Sequence, residues 1–268
     1  MTTAPLGTGS EVLVRGGRVL SADGTPITYL VQGSGPVLLV VHGGLGSAVS
    51  MLSLAGYLAE HYTVVAMNCR GHGTSGTPQS APDIAHEVAD IVAVIDAVGP
   101  VEVVFGYSFG AVLALETALR ASDRVSRLAV YEPPLPVMYP IPDLSAVDAG
   151  IEGGDYERLI LDASAVSGGF SAAELAVLRS DPLWWHKVAQ APTLAATLRV
   201  LAGLDPDVGR YAAITAQTTV ITGTTSADYI LDAADRLTTA LRNPIRKTLS
   251  GQGHHVALGG LAQALLSG

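Results

Sequence analysis

The chain is short of the residues that would tie it together covalently or draw it to a polyanion. Cys69 is the only cysteine among 268 residues, so no intrachain disulfide can form. As a nucleophile it would need an activating base, and none is available that is not better assigned elsewhere; Cys69 is read as a packed residue beside a loop. Aromatic residues make up only 5% and charged residues 15%, while hydrophobic residues reach 49%, a globular composition without a disorder signature. Positive charge is scarce: 15 Lys and Arg against 24 Asp and Glu leave a net charge of −9. A phosphate polymer would be repelled over most of such a surface, which argues against nucleic acid as a partner. No apolar run approaches membrane-spanning length, and residues 1–10 lack the basic and then apolar organisation of a secretory signal. A soluble, cytoplasmic protein is expected. Glycines such as Gly33, Gly35 and Gly46 read as turn formers rather than a phosphate cradle, and no internal repeat is evident.

What is present is concentrated in Gly106-Tyr107-Ser108-Phe109-Gly110, which spells G-x-S-x-G. An apolar run at 101–105 precedes it and a helix-like run at 111–119 follows. In a strand–turn–helix context this motif describes a nucleophile elbow, a tight turn flanked by small residues that lifts the serine hydroxyl above the end of a sheet. Ser108 is therefore the candidate nucleophile.

The rest of the chain reads as an α/β alternation. Strand signals at 11–20 and 27–32, parted by a turn at Asp23-Gly24, suggest an opening hairpin. Residues 37–41 are continuously apolar, as in a strand buried on both faces, and run into His42-Gly43-Gly44. A helix at 47–60 leads to a strand at 62–67 and to the loop Asn68-Cys69-Arg70-Gly71-His72-Gly73. Ser80-Ala81-Pro82-Asp83 reads as a capping box for a helix carrying Ile84, Val88, Ile91, Val92 and Ile95 on one face, stopped by Gly99-Pro100. The elbow strand and its helix follow, then a short strand at 127–132.

The rhythm breaks at Pro133-Pro134, and the next strand signal is at 218–222. The intervening stretch reads as helices near 146–165, 171–178 and 184–201. The expected organisation is an α/β core at 1–133 and 214–268, a mostly parallel sheet flanked by helices, with a helical cap inserted at 134–213. A helix at about 227–241, a strand at 245–249, Gly251-Gln252-Gly253-His254-His255 and a final helix complete the chain.

A serine hydroxyl needs a base to take its proton, and the base needs a group that orients it. Among seven histidines, His254 and His255 alone sit in a glycine-rich loop after the last strand, at the sheet edge that also carries Ser108. His254 is the chosen base; His255 packs or meets solvent. Adjacent histidines lack the spacing of a metal site on a helix, and neither metal nor cofactor is expected.

Four segments together carry a resemblance: His42-Gly43, Arg70-Gly71-His72-Gly73-Thr74-Ser75, the elbow, and Gly251-Gln252-Gly253-His254. Over nearly its whole length the chain resembles the α/β-hydrolase fold. The resemblance implies an oxyanion hole made by backbone N–H groups of Phe109 and Gly44, with Leu45 an outside alternative. It also implies an acid three residues beyond Gly223, where this chain has Ser226, which cannot serve. Two carboxylates could replace it. Asp228 lies two residues further on, and Glu132 ends the sixth strand, where a subset of the family including haloalkane dehalogenases keeps its acid. Glu132 is preferred, with Asp228 the alternative. His42 reads as a brace for the oxyanion loop, and Arg70 and His72 as holders of their own loop. Leu45, Tyr107, Trp184 and Trp185 are candidate pocket residues, although both tryptophans could equally pack the cap.

The function expected is a serine hydrolase that cleaves an ester, thioester or lactone of a small to medium, mostly apolar acyl substrate through an acyl-enzyme. Serine at the elbow argues against epoxide hydrolase or haloalkane dehalogenase chemistry, which uses aspartate there. Acyl transfer or cyclisation, carbon–carbon bond hydrolysis and cofactor-free perhydrolysis remain compatible. A non-catalytic ligand-binding scaffold is the rival from another class. Substrate identity and oligomeric state are left open.

Overall fold

The computed structural model describes residues 13–77, 80, 81, 83–136 and 138–267. Strand β1 (Arg15–Leu20) and β2 (Pro26–Gly33) form the expected hairpin; positions 11 and 12 of that reading lie outside the described residues. β3 (Val37–Val41), β4 (Thr63–Met67), β5 (Val101–Tyr107), β6 (Arg127–Tyr131), β7 (Gln217–Gly223) and β8 (Pro244–Leu249) complete one sheet in the order β1-β2-β4-β3-β5-β6-β7-β8. From β4 through β8 all neighbours are parallel, while β1 and β2 join antiparallel at one edge.

Strands buried on both faces explain the continuous apolar runs. Leu39, Val41, Val65, Met67, Val104 and Leu128 point to one face, where α2 (Ile84–Val98), α3 (Phe109–Arg120) and α9 (Asp228–Ala240) cover them. Their alternates Leu38, Val40, Val64, Ala66, Phe105 and Tyr131 point to the other, under α1 (Leu52–Leu58) and α10 (Leu258–Leu266). Period-two alternation within each run thus builds two cores from one sheet.

Between β6 and β7 the chain passes through α4 (Leu144–Gly153), α5 (Tyr156–Ser167), α6 (Ala172–Ser180), α7 (Trp184–Val188) and α8 (Leu194–Ala202). Val147, Leu159 and Leu198 form one small core here, and Ile160, Leu178 and Trp184 a second; Leu45, from the loop after β3, packs against both.

Local breaks depart from the expected helices for identifiable reasons. The single helix expected at 146–165 is two, because Gly154 takes a left-handed φ of 74° and Asp155 then caps α5 through its side chain. The helix expected at 184–201 is interrupted by a tight 3₁₀ turn at Ala191–Thr193, where Pro192 has no N–H to continue the ladder. The first turn of the helix expected at 47–60 is likewise 3₁₀, over Val49–Met51. Asp83, not Ser80, is the N-cap of α2, its carboxylate accepting from Ala85 N–H at 2.9 Å; Pro82 lies outside the described residues. A reciprocal capping box stands instead at Ser171 and Glu174, ahead of α6. The strand expected to include Glu132 stops at Tyr131, because Glu132 turns to a φ of 48°.

Candidate active site

Parallel strands end on the same side, so the loops leaving β3, β5, β6, β7 and β8 share one edge. The elbow lies at its centre. Ser108 sits between β5 and α3 with φ 53° and ψ −119°, a conformation costing on the order of 1–3 kcal/mol for a residue with a side chain. Its neighbours hold it there: Ser108 N–H donates to Tyr131 O at 2.8 Å, and Ala111 N–H to Ser108 O at 2.8 Å. Both flanking glycines are required by space alone. A Cβ on Gly106 would stand 2.3 Å from Gly110 O, and one on Gly110 would stand 2.2 Å from Val41 O.

Ser108 faces a histidine and, behind it, a carboxylate. His254 Nε2 lies 3.1 Å from Ser108 Oγ, and His254 Nδ1 lies 2.8 Å from Glu132 Oε2. Glu132 is completely buried. Burial alone would raise its pKa, but the hydrogen bond and charge of His254 and donation from Gly223 N–H (2.8 Å) and the Ser226 hydroxyl outweigh it, leaving the carboxyl below its ordinary value. An ionised carboxylate only accepts, so Nδ1 of His254 donates to it, and in the neutral ring this leaves Nε2 to accept from the Ser108 hydroxyl. Asp228, the alternative acid, is exposed in the first turn of α9 and makes no hydrogen bond to His254.

The loop after β3 is built to hold its amides still. Gly43 O accepts from Gly46 N–H at 2.9 Å and from His42 Nδ1–H at 2.7 Å, while His42 Nε2 accepts from Cys69 N–H at 3.1 Å. Both ring nitrogens of His42 are thereby used, and burial, with the charge of His72 second, drives its pKa down to about 3, so it stays neutral. Cys69 is buried beside it and its thiol pKa is pushed up, first by burial and then by Glu87 and Asp90, so it offers no thiolate. His72 lies within hydrogen-bond distance of Arg70 O, of Gly44 O and of the Thr193 hydroxyl between α7 and α8. Arg70 faces away, clamping Asp90 through two nitrogens at 2.8 and 2.6 Å and Asp23 at 2.9 Å. With the loop so braced, the N–H groups of Gly44 and Phe109 make no hydrogen bond among the described residues.

A cavity of about 160 Å³ opens over Ser108 and His254, between the sheet edge and the inserted helices. Leu45 and Tyr107, two of the candidate pocket residues, line it together with Phe109, Ile160, Phe170 and Leu198. Trp184 and Trp185 do not. Adjacent residues on a helix point about 100° apart; Trp184 turns inward, buried among Ile160, Leu178 and Ala191, and Trp185 turns out, 70% exposed. Their neighbour His186 meets Ser47 Oγ and so ties α7 to the loop after β3.

Two tyrosine hydroxyls steady the histidine loop: Tyr131 OH donates to Gly253 O at 2.6 Å, and Tyr107 OH donates to His254 O. Neither role was legible in sequence, since each pairs a strand end with a loop more than a hundred residues away. For Ser226 there was a signal, its place three residues after Gly223, but nothing local shows that its partner is Glu132. Among the described residues no three His, Cys, Asp or Glu side chains gather as a metal site, and no helix is long and apolar enough to cross a membrane.

Sequence and structure comparisons place the fold. Residues 36–190 match the alpha/beta hydrolase fold family, and the chain belongs to it. An alpha/beta hydrolase from Sphaerobacter thermophilus is 32% identical with a TM-score of 0.82, over 94% of this chain and 99% of that one. An esterase from Exiguobacterium antarcticum superposes with a TM-score of 0.73 at 20% identity, over 93% of this chain and 97% of that one. The uncharacterized hydrolase YraK of Bacillus subtilis is 36% identical over 122 residues, 42% of this chain. The match spans less than half of that curated relative, 43% of its length.

Proposed function

We propose that the protein is a serine hydrolase of carboxylic esters, with Ser108 as nucleophile, His254 as general base and acid, and Glu132 as the group that orients His254. The observation that carries this reading is the row from Ser108 Oγ through both nitrogens of His254 to the buried Glu132, at 3.1 and 2.8 Å, beneath an apolar cavity. A binding scaffold has no need of a serine held at φ 53° against an imidazole backed by a buried carboxylate.

His254 Nε2 takes the Ser108 proton as Oγ attacks the ester carbonyl. The resulting oxyanion is held by the free N–H groups of Gly44 and Phe109. His254 returns the proton to the departing alcohol oxygen, the C–O bond breaks and an acyl-serine remains. Water, deprotonated by the same nitrogen, attacks the acyl carbon; the proton then returns to Ser108 Oγ and the carboxylic acid leaves. Glu132 stays ionised throughout and stabilises the imidazolium. Each oxyanion donor of this kind contributes roughly 10² to 10³ in turnover.

In this reading residues 134–213 act as the cap that sets substrate size, over a core of 1–133 and 214–268. The apolar walls and the small volume, comparable to a void that takes one benzene ring, favour a short acyl chain or a single ring. Incubation with a fluorophosphonate probe tests the assignment: wild type becomes labelled at Ser108 and Ser108→Ala does not. Absence of labelling, or equal labelling of both, overturns it and leaves the binding scaffold.

A further inference from the structure

Among the described residues, the cavity contains one cation whose sole ion-pair partner stands at the outer limit of contact. Among the described residues lining it, Lys187 of α7 is the only Lys or Arg, and no Asp or Glu lines it. Its side chain is 19% exposed, and its ammonium makes no hydrogen bond among the described residues. The nearest carboxylate is Asp181, with Oδ2 at 4.0 Å, at the limit for an ion pair, while Oδ1 is engaged by Leu183 N–H. Burial lowers the lysine pKa, with Asp181 opposing. Two hydroxyls of the wall are consumed internally: Ser50 Oγ donates to Ser47 O, and Ser167 Oγ to Pro140 O. Thr197 Oγ1, by contrast, is buried without a partner among the described residues, next to Gly44 on the oxyanion side.

A partly buried ammonium with three donors and no acceptor is costly to keep, and an apolar residue would fill the same wall without that cost. We infer that Lys187 binds a carboxylate on the substrate, so that the site takes the half-esters of short dicarboxylic acids, with the ester at Ser108 and the free acid at Lys187. One ammonium matches the single charge of a carboxylate; a phosphate would call for several converging donors, which this wall does not supply. The small cavity limits the spacer between the two ends to a few carbons. The inference rests on Ser108 being the nucleophile of the same cavity, and it names the class of acyl group that nucleophile receives.

Binding to the Ser108→Ala protein tests the anchor without requiring turnover. Calorimetry at low salt compares monomethyl glutarate, which carries one negative charge, with neutral dimethyl glutarate. The half-ester should bind more tightly. Adding Lys187→Met, which keeps the stem and removes the charge, should reduce the half-ester preference roughly 10- to 100-fold, the range expected for a hydrogen bond to a charged group. Lys187→Arg should retain it. On wild-type protein the same preference should appear in the ratio of kcat/KM for the two esters. Equal binding of both, or an unchanged preference in Lys187→Met, overturns the inference. Failure of the nucleophile reading is separately visible: a chain that prefers the half-ester but takes no fluorophosphonate at Ser108 keeps the anchor and loses the mechanism.

Discussion

The Ser226 hydroxyl donates to Glu132 Oε1. The position three residues beyond Gly223 therefore does not supply an acid of its own; it supports the carboxylate on the neighbouring strand end. Strand pairing accounts for this, since Tyr131 lies opposite Ile221 in the β6–β7 register and Glu132 N–H reaches back to Ile221 O at 3.1 Å. Both strand ends converge on one point behind His254.

Removing that support should weaken Glu132 without removing it. Ser226→Ala leaves Oε1 with the Gly223 N–H alone, and a carboxylate that loses a donor holds its proton to higher pH. The expected outcome is a fall in kcat/KM of about tenfold and an acid limb displaced upward in the pH–rate profile. An unmoved acid limb would count against the pairing. The double variant Glu132→Gln with Ser226→Asp, which transfers the carboxylate to β7, should recover part of the activity lost in Glu132→Gln alone.

The choice between the two carboxylates can be read directly from turnover. Glu132→Gln should lower kcat on a p-nitrophenyl ester by roughly 10² to 10⁴, because a neutral amide no longer fixes the tautomer or stabilises the imidazolium. Asp228→Asn should stay within about a factor of two, as expected of an exposed surface change. The opposite ranking would move the acid to α9.

The two tryptophans should separate cleanly in a stability assay. Trp184→Ala empties a buried position among Ile160, Leu178 and Ala191, and should cost about 3–5 kcal/mol of local or global stability, seen as a lowered thermal midpoint. Trp185→Ala, at a 70% exposed site, should leave both the midpoint and ester turnover near wild type. A turnover loss in Trp185→Ala with an unchanged midpoint would mean that the outer face of α7 meets substrate.

Far from the catalytic edge, Glu87 on α2 should make stability depend on pH. It is buried with Oε2 unpartnered, and burial, reinforced by Asp90 and opposed by Arg70, pushes its pKa up to about 8. The folded state then keeps a proton that the unfolded chain releases near the ordinary value of 4.5. The stability tied to this group is fully present below pH 4.5, declines as pH rises and is lost above about 8. Glu87→Gln should therefore melt closer to wild type, or below it, in mild acid and above it in mild alkali. Parallel melting curves across that range would show that Glu87 is ionised in the fold.

Much of the fold could be read from periodicity. Runs such as Val37–Val41 and residues 64–67 are short and apolar throughout, and only a strand covered on both faces uses every residue of such a run. The elbow was legible for a similar reason, since its glycines answer clashes within a few residues or with the adjacent strand. Helix limits in the insertion were harder. Gly154 and Pro192 stop helices whose apolar spacing continues through them, and the spacing alone carries no sign of the break. The tryptophan pair was ambiguous because large aromatic side chains look alike whether they pack a cap or line a cavity.

The candidate site divides along the same boundary. Sequence by itself determined the serine on its turn, the histidine after the last strand and a short choice of carboxylates, because each belongs to a local pattern of turn, strand end or glycine loop. Tertiary structure decided which of them meet. Ser108 and His254 are 146 residues apart, and His254 and Glu132 are 122 apart. Their contact depends on the strand order β3-β5-β6-β7-β8, on the register of β6 with β7, and on Tyr107 and Tyr131 holding the histidine loop. Register and loop closure are properties of the assembled sheet, set by packing across its two faces. The weakly paired ammonium of Lys187 likewise takes on meaning only once the inserted helices lie over Ser108, since nothing in its local sequence distinguishes a cavity wall from solvent.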